Sequence, residues 1–274
     1  MVDKSENRNL ALFFLVSFAW SWFFWTLQIL GFNLYVAPFG PFLAAFLLTY
    51  LQEGYVGVKK LLVKGFDPRI RKVWYVPAFL LWPIIAGFSI LGALLAGEFI
   101  PELVTLSQPW LVLWNFVYIF FLGGPLQEEF GWRGYALPRL QARYSALISS
   151  VVLGGLWAIW HLPLNLMYLV GPQYQVGLAW LSSTVILFIF VSMLFTWIYN
   201  NTDGSVLTAL IFHTMLNLST YVIFPVFETE NGPTYYLLSI IVVALIILAV
   251  FRAKRMVRNK SQVKTESNRR DNFG

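Results

Sequence analysis

Residues Asn231–Phe251 read NGPTYYLLSIIVVALIILAVF, a run without Lys, Arg, Asp or Glu. A helix crosses the bilayer hydrocarbon with about 20 such residues. Working outward, Asn9–Gln52, Val73–Gly97, Leu103–Gln127, Tyr144–Thr202 and Gly204–Phe227 are free of charge in the same way. The runs Asn9–Gln52 and Tyr144–Thr202 are long enough for two crossings each, and the other four hold one each, which makes eight. The expected spans are 11–31, 35–52, 74–97, 107–127, 146–169, 177–199, 204–223 and 233–251. Backbone in lipid must satisfy its own hydrogen bonds, so each span is expected to be a helix. None of the runs alternates as barrel strands do. The fold class is all-α, a polytopic membrane protein of about eight transmembrane helices.

Composition agrees. The 274 residues are 58% hydrophobic and 12% charged, against about 25% charged in a soluble domain, and the mean hydropathy is +0.68. All 19 basic residues fall before the first span, between spans two and three, between four and five, or after the last. The loops on the other side carry acids or no charge. The net charge of +6 is thus a positive-inside pattern and not a nucleic-acid patch, with both termini cytoplasmic and the cell membrane as the location. The first span is full length and lacks a small-residue cleavage site, so no cleavable leader is expected. No cysteine is present, which excludes disulfides, thiolate metal sites and a Cys nucleophile.

Residues 1–258 read as one membrane domain and 259–274 as a basic, disordered cytoplasmic tail. Within the domain, Val56–Lys72 (VGVKKLLVKGFDPRIRK) mixes bases with Leu and Val and reads as a surface amphipathic helix followed by a loop. Asp203, in NNTDGS, reads as a turn and the N-cap of the seventh span.

Against this background QEEFGWRGY, Gln127 to Tyr135, stands out: two carboxylates and a guanidinium close a long apolar run. Ionisable groups at membrane depth are costly and point to function. The only two histidines, His161 in LWAIWHLPLN and His213 in LIFHTMLN, also lie inside spans. Four-residue spacing puts His213 and Asn217 on one helix face, and Trp157, His161 and Asn165 on another. Pro163 is expected to bend its helix near His161. Glu129 and Arg133, also four apart, can pair, which leaves Glu128 about 100° away around the helix. Glu128 is therefore assigned the chemistry, and Glu129 with Arg133 the support. A carboxylate with an imidazole can activate water, and a second His with an Asn can stabilise an oxyanion. Amide hydrolysis needs that set, gathered in an intramembrane catalytic cavity. HExxH and GxSxG are absent, and Asp203 is the only Asp near a span, so zincin, serine-hydrolase and two-aspartate readings fail. A proton relay or transporter built on Glu128, His161 and His213 stays as an alternative, as does a non-catalytic immunity or scaffold protein.

These residues resemble the CPBP family, the CAAX prenyl proteases and bacteriocin-processing or Abi proteins, in its prokaryotic branch. EEFGWR, Glu128 to Arg133, matches the family's EExxxR. WAIWH, Trp157 to His161, stands for FxxxH with Trp in place of Phe, which is expected to alter pocket shape slightly. HTMLN, His213 to Asn217, matches HxxxN. The likeness covers roughly Leu103–Leu218. It implies an eight-helix intramembrane endopeptidase in which Glu128 and His161 activate water. His213 and Asn217 form the oxyanion hole, and Glu129 and Arg133 support them. The substrate is a peptide or protein at the membrane, with CAAX-type trimming, bacteriocin or peptide processing, and immunity as the candidate roles. The family is labelled metalloprotease by habit, yet its described mechanism needs no bound ion. One Glu and two His would also supply a three-ligand zinc site, so a divalent metal stays open; Asn217, a poor ligand and a good donor, favours no cofactor. Lipid is the other expected partner, and no oligomeric state is read from the residues.

The topology is testable because the chain lacks cysteine. Glu102→Cys should react with an impermeant maleimide on intact cells, and Arg143→Cys only after lysis.

Overall fold

The computed structural model describes residues 4–32, 34–165 and 174–251, and among them every regular element is helical. In order these are α1 (Lys4–Ile29), α2 (Gly40–Lys64), α3 (Tyr75–Leu95), α4 (Val104–Ser107), α5 (Trp110–Leu122), α6 (Pro125–Gly131), α7 (Leu137–Gln141), α8 (Ala146–Trp160), α9 (Leu162–Asn165), α10 (Tyr174–Asn201), α11 (Val206–Leu218) and α12 (Gly232–Phe251). Widened π turns follow α6 at Trp132–Ala136 and α11 at Ser219–Ile223.

Five described stretches are long and apolar enough to cross a membrane: Glu6–Ile29, Lys72–Leu95, Leu181–Asn201, Val206–Glu228 and Gly232–Phe251. Trp110–Leu122 with Pro125–Gln141, bent by 45°, makes a sixth. The remaining two of the eight expected spans are present as helices but deviate. Helix α8 has only 15 residues, because the expected 146–169 span breaks at His161, ahead of Pro163; residues 166–169 lie outside the described residues. Helix α2 changes direction at Gly54 (φ 64°, ψ −160°), a conformation that suits a residue without Cβ. The expected separate amphipathic helix is the part of α2 beyond that bend. It buries Gly57 and Leu61 and exposes Lys59 and Lys60. The cap of α11 is Ser205, whose hydroxyl accepts from Thr208 N at 3.1 Å. Asp203 (φ 54°) forms only the turn before it. The tail 259–274 lies outside the described residues.

Burial ranks the helices. The apolar window of Val206–Glu228 is 67% buried, whereas that of Gly232–Phe251 is 22% buried, so α11 is the central post and α12 faces outward. Helix α11 packs on α3, α5 and α6, and α8 packs along α10. Small residues allow the close approaches. A Cβ on Gly154 of α8 would stand 2.6 Å from Ile189 Cα and 2.7 Å from Phe188 O of α10. A Cβ on Gly131 of α6 would stand 2.6 Å from the Pro41 carbonyl oxygen of α2.

Gly154→Val must push α8 off α10 and should destabilise by about 1–3 kcal/mol, measured as a lower midpoint of thermal unfolding in detergent.

Candidate active site

The site begins at a break in the chain. Helix α5 ends at Leu122, Gly124 takes φ 111°, and Pro125 starts α6. Pro suits a first helical position because it has no N–H to satisfy. Two amides tie the break: Gln127 Nε2 donates to Leu122 O at 3.3 Å, and Asn217 Nδ2 of α11 donates to Gly123 O at 3.1 Å. One turn on, α6 carries Glu128 and Glu129 side by side, and the π turn that follows carries Arg133. Such widened turns are common at functional sites.

The two carboxylates have different partners. Glu129 is fully buried, and Arg133 Nη1 donates to both its oxygens at 2.9 and 3.0 Å. His213 Nδ1 is 2.8 Å from Glu129 Oε1 and, facing a carboxylate, is the donor. The Arg133 guanidinium is also fully buried and lies over the rings of Trp157 and Phe195, with its central carbon 4.6 and 4.0 Å from their centroids. These π faces favour the cation where water is missing.

Glu128 makes no ion pair among the described residues. Its Oε2 accepts from Trp157 Nε1 at 2.8 Å and from Trp132 Nε1 at 3.3 Å. Its Oε1 lies beside Gly124. A Cβ on Gly124 would stand 2.9 Å from Glu128 Oε1 and 3.9 Å from Asn217 Nδ2. One carboxylate oxygen and one amide nitrogen therefore flank Gly124.

His161 stands at the C-terminal end of α8 rather than within a continuous helix. Its Nδ1 is 2.9 Å from Trp157 O. A carbonyl can only accept, so Nδ1 carries the hydrogen and Nε2 is left as an acceptor. No hydrogen bond among the described residues joins Glu128 to either imidazole. The connection runs through the Trp157 ring, centred 6.0 Å from His161 and 5.5 Å from His213 while its N–H holds Glu128. The stripe Trp157, His161, Asn165 does not persist, since Asn165 belongs to the separate short α9.

The structure thus brings Glu128 and Asn217 together at Gly124, joins Glu129, Arg133 and His213 in one ionic group, and places His161 one aromatic ring away. Sequence reasoning missed the indole donors. Trp132 stands four residues after Glu128 on one helical face and was legible by spacing; Trp157 reaches Glu128 only through the tertiary fold. As for a metal, no group of three or more His, Cys, Asp or Glu among the described residues is arranged to hold an ion. Both histidines turn Nδ1 toward protein oxygens.

Residues 109–219, which hold every residue just described, match the model of the family described as type II CAAX prenyl endopeptidase Rce1-like. CAAX prenyl protease 2 of Methanococcus maripaludis is 29% identical over 235 residues, covering 79% of this chain and 85% of that protein. Over this segment the chain is similar to type II CAAX prenyl endopeptidases. The apolar helices fit a multi-pass membrane protein, as the likeness does. The match covers the broken span and α8 to α11 together, so the likeness lies in the helices that position the site.

Removing half of the buried pair leaves a charge without compensation. Glu129→Gln should destabilise the protein by about 3–5 kcal/mol, and Glu129→Gln combined with Arg133→Met by less, measured by unfolding in mixed micelles.

Proposed function

We propose that this protein is an endopeptidase that hydrolyses a peptide bond near the cytoplasmic face of the cell membrane, with Glu128 as the general base. The observation that carries this reading is the split between the carboxylates: Glu129 is spent on Arg133 and His213, while Glu128 pairs with indole donors through Oε2 and keeps Oε1 beside Gly124, near Asn217. Water bound there gives a proton to Glu128 Oε1, with its second hydrogen donated to His161 Nε2. The hydroxide oxygen adds to the scissile carbonyl carbon. The resulting oxyanion accepts from Asn217, whose Nδ2 keeps one hydrogen beyond the one given to Gly123 O, and from His213 Nε2 as an imidazolium. The C–N bond then breaks, and Glu128 returns its proton to the leaving amine. Pre-placed donors of this kind act where charge develops.

Glu129 and Arg133 are positioning residues that hold His213. The arrangement needs no bound ion, and the turning of both Nδ1 atoms toward protein oxygens supports a metal-free reaction. The relative named CAAX prenyl protease 2 supports a prenylated C-terminal peptide as the substrate class. The basic loops support a multi-pass orientation with both termini in the cytoplasm, and lipid as the constant partner.

The test is cleavage of an internally quenched farnesylated CaaX peptide in proteoliposomes. Glu128→Gln should lower the rate by at least about 100-fold with unchanged thermal unfolding, and EDTA should leave the wild-type rate as it was. A fully active Glu128→Gln protein sinks the assignment of the base. Loss of activity on EDTA treatment with recovery on zinc sinks the metal-free reading.

A further inference from the structure

Trp157 replaces the phenylalanine of the family motif, and its position shows more than a change of pocket shape. The indole is 2% exposed and sits between Glu128, Arg133 and both imidazoles. Its ring packs edge-on to Phe188 at 4.8 Å and Phe195 at 5.7 Å, and lies under Arg133. Its backbone carbonyl takes the His161 Nδ1 hydrogen. Its Nε1–H makes the shorter of the two hydrogen bonds to Glu128 Oε2. A phenylalanine ring could reproduce the packing but could not supply the N–H.

We infer that Trp157 is a positioning residue for the reaction: its indole N–H occupies Glu128 Oε2, fixes the carboxyl rotamer, and leaves Oε1 as the oxygen that receives the proton of water. Without it the carboxyl can turn about its terminal torsion, which is broad for this side chain, and Trp132 at 3.3 Å is the remaining donor. One residue thus sets both partners of water activation, holding Glu128 by its side chain and the His161 tautomer by its carbonyl. The inference rests on Glu128 being the base, as proposed above.

Trp157→Phe keeps the ring stack and removes only the donor. With the farnesylated quenched peptide, kcat should fall about tenfold or more while KM stays within about twofold, as expected for loss of a hydrogen bond to a charged group. Unchanged kcat, with or without a change in KM, overturns the inference and leaves Trp157 as a shape residue. Glu128→Gln assayed in parallel separates the two claims: an inactive Glu128→Gln beside a Trp157→Phe of full kcat sinks only this one, whereas an active Glu128→Gln sinks the base itself. Should Trp157→Phe not fold, 15N-tryptophan spectra of wild-type and Glu128→Gln protein decide. The Trp157 indole N–H resonance, told from that of Trp132 with the Trp132→Phe variant, should move upfield in Glu128→Gln; a Trp157 resonance that stays in place overturns the inference.

Discussion

A guanidinium buried in an apolar slab is the constraint from which the rest follows. Arg133 has no exposure, and a cation there demands a counter-charge and π faces in place of water. Glu129 supplies the charge, and Trp157 and Phe195 supply the faces. The same carboxylate takes the His213 hydrogen, so the ionic group joins the broken span to α11. That commitment is what frees Glu128: with its neighbour neutralising Arg133, the second carboxylate is surrounded by neutral donors.

Those donors are indoles, and the choice has a physical basis. An indole presents one N–H and no acceptor, in a flat apolar body that packs as well as phenylalanine. Trp132 and Trp157 therefore fix one oxygen of Glu128 without admitting mobile water. The other oxygen lies close against Gly124, where a Cβ would crowd it. The division of the carboxyl into a side held by indoles and a side beside Gly124 comes from aromatic packing, not from further charges.

Much of this was legible in the sequence. Charge-free runs gave an all-helical membrane fold, and four-residue spacing gave the Glu129–Arg133 pair that the structure shows. The helix count was less legible, because hydropathy does not register Gly54 turning α2 or His161 ending α8. Val56–Lys72 looked like a separate surface helix for the same reason: a single glycine torsion decides whether two helices are one. Within the site, Trp157 looked like a plain aromatic substitution. Its hydrogen bond spans 29 positions of sequence, and no local periodicity carries such a contact. The His213–Glu129 contact, across 84 positions, was hidden in the same way.

The shortness of α8 has a further consequence. Fifteen residues rise only about 22 Å, against a hydrocarbon layer of about 30 Å. Leu147, Ile148, Val151, Val152 and Ile159 nevertheless present an apolar outer flank. Trp22 of α1 closes the truncated end by donating to the Trp160 carbonyl at 3.0 Å. A span shorter than the hydrocarbon is met by thinning of the bilayer, by snorkelling of flanking residues or by association with a neighbour. The end of α8 where His161 stands is therefore the place in this fold where the apolar span is shortest.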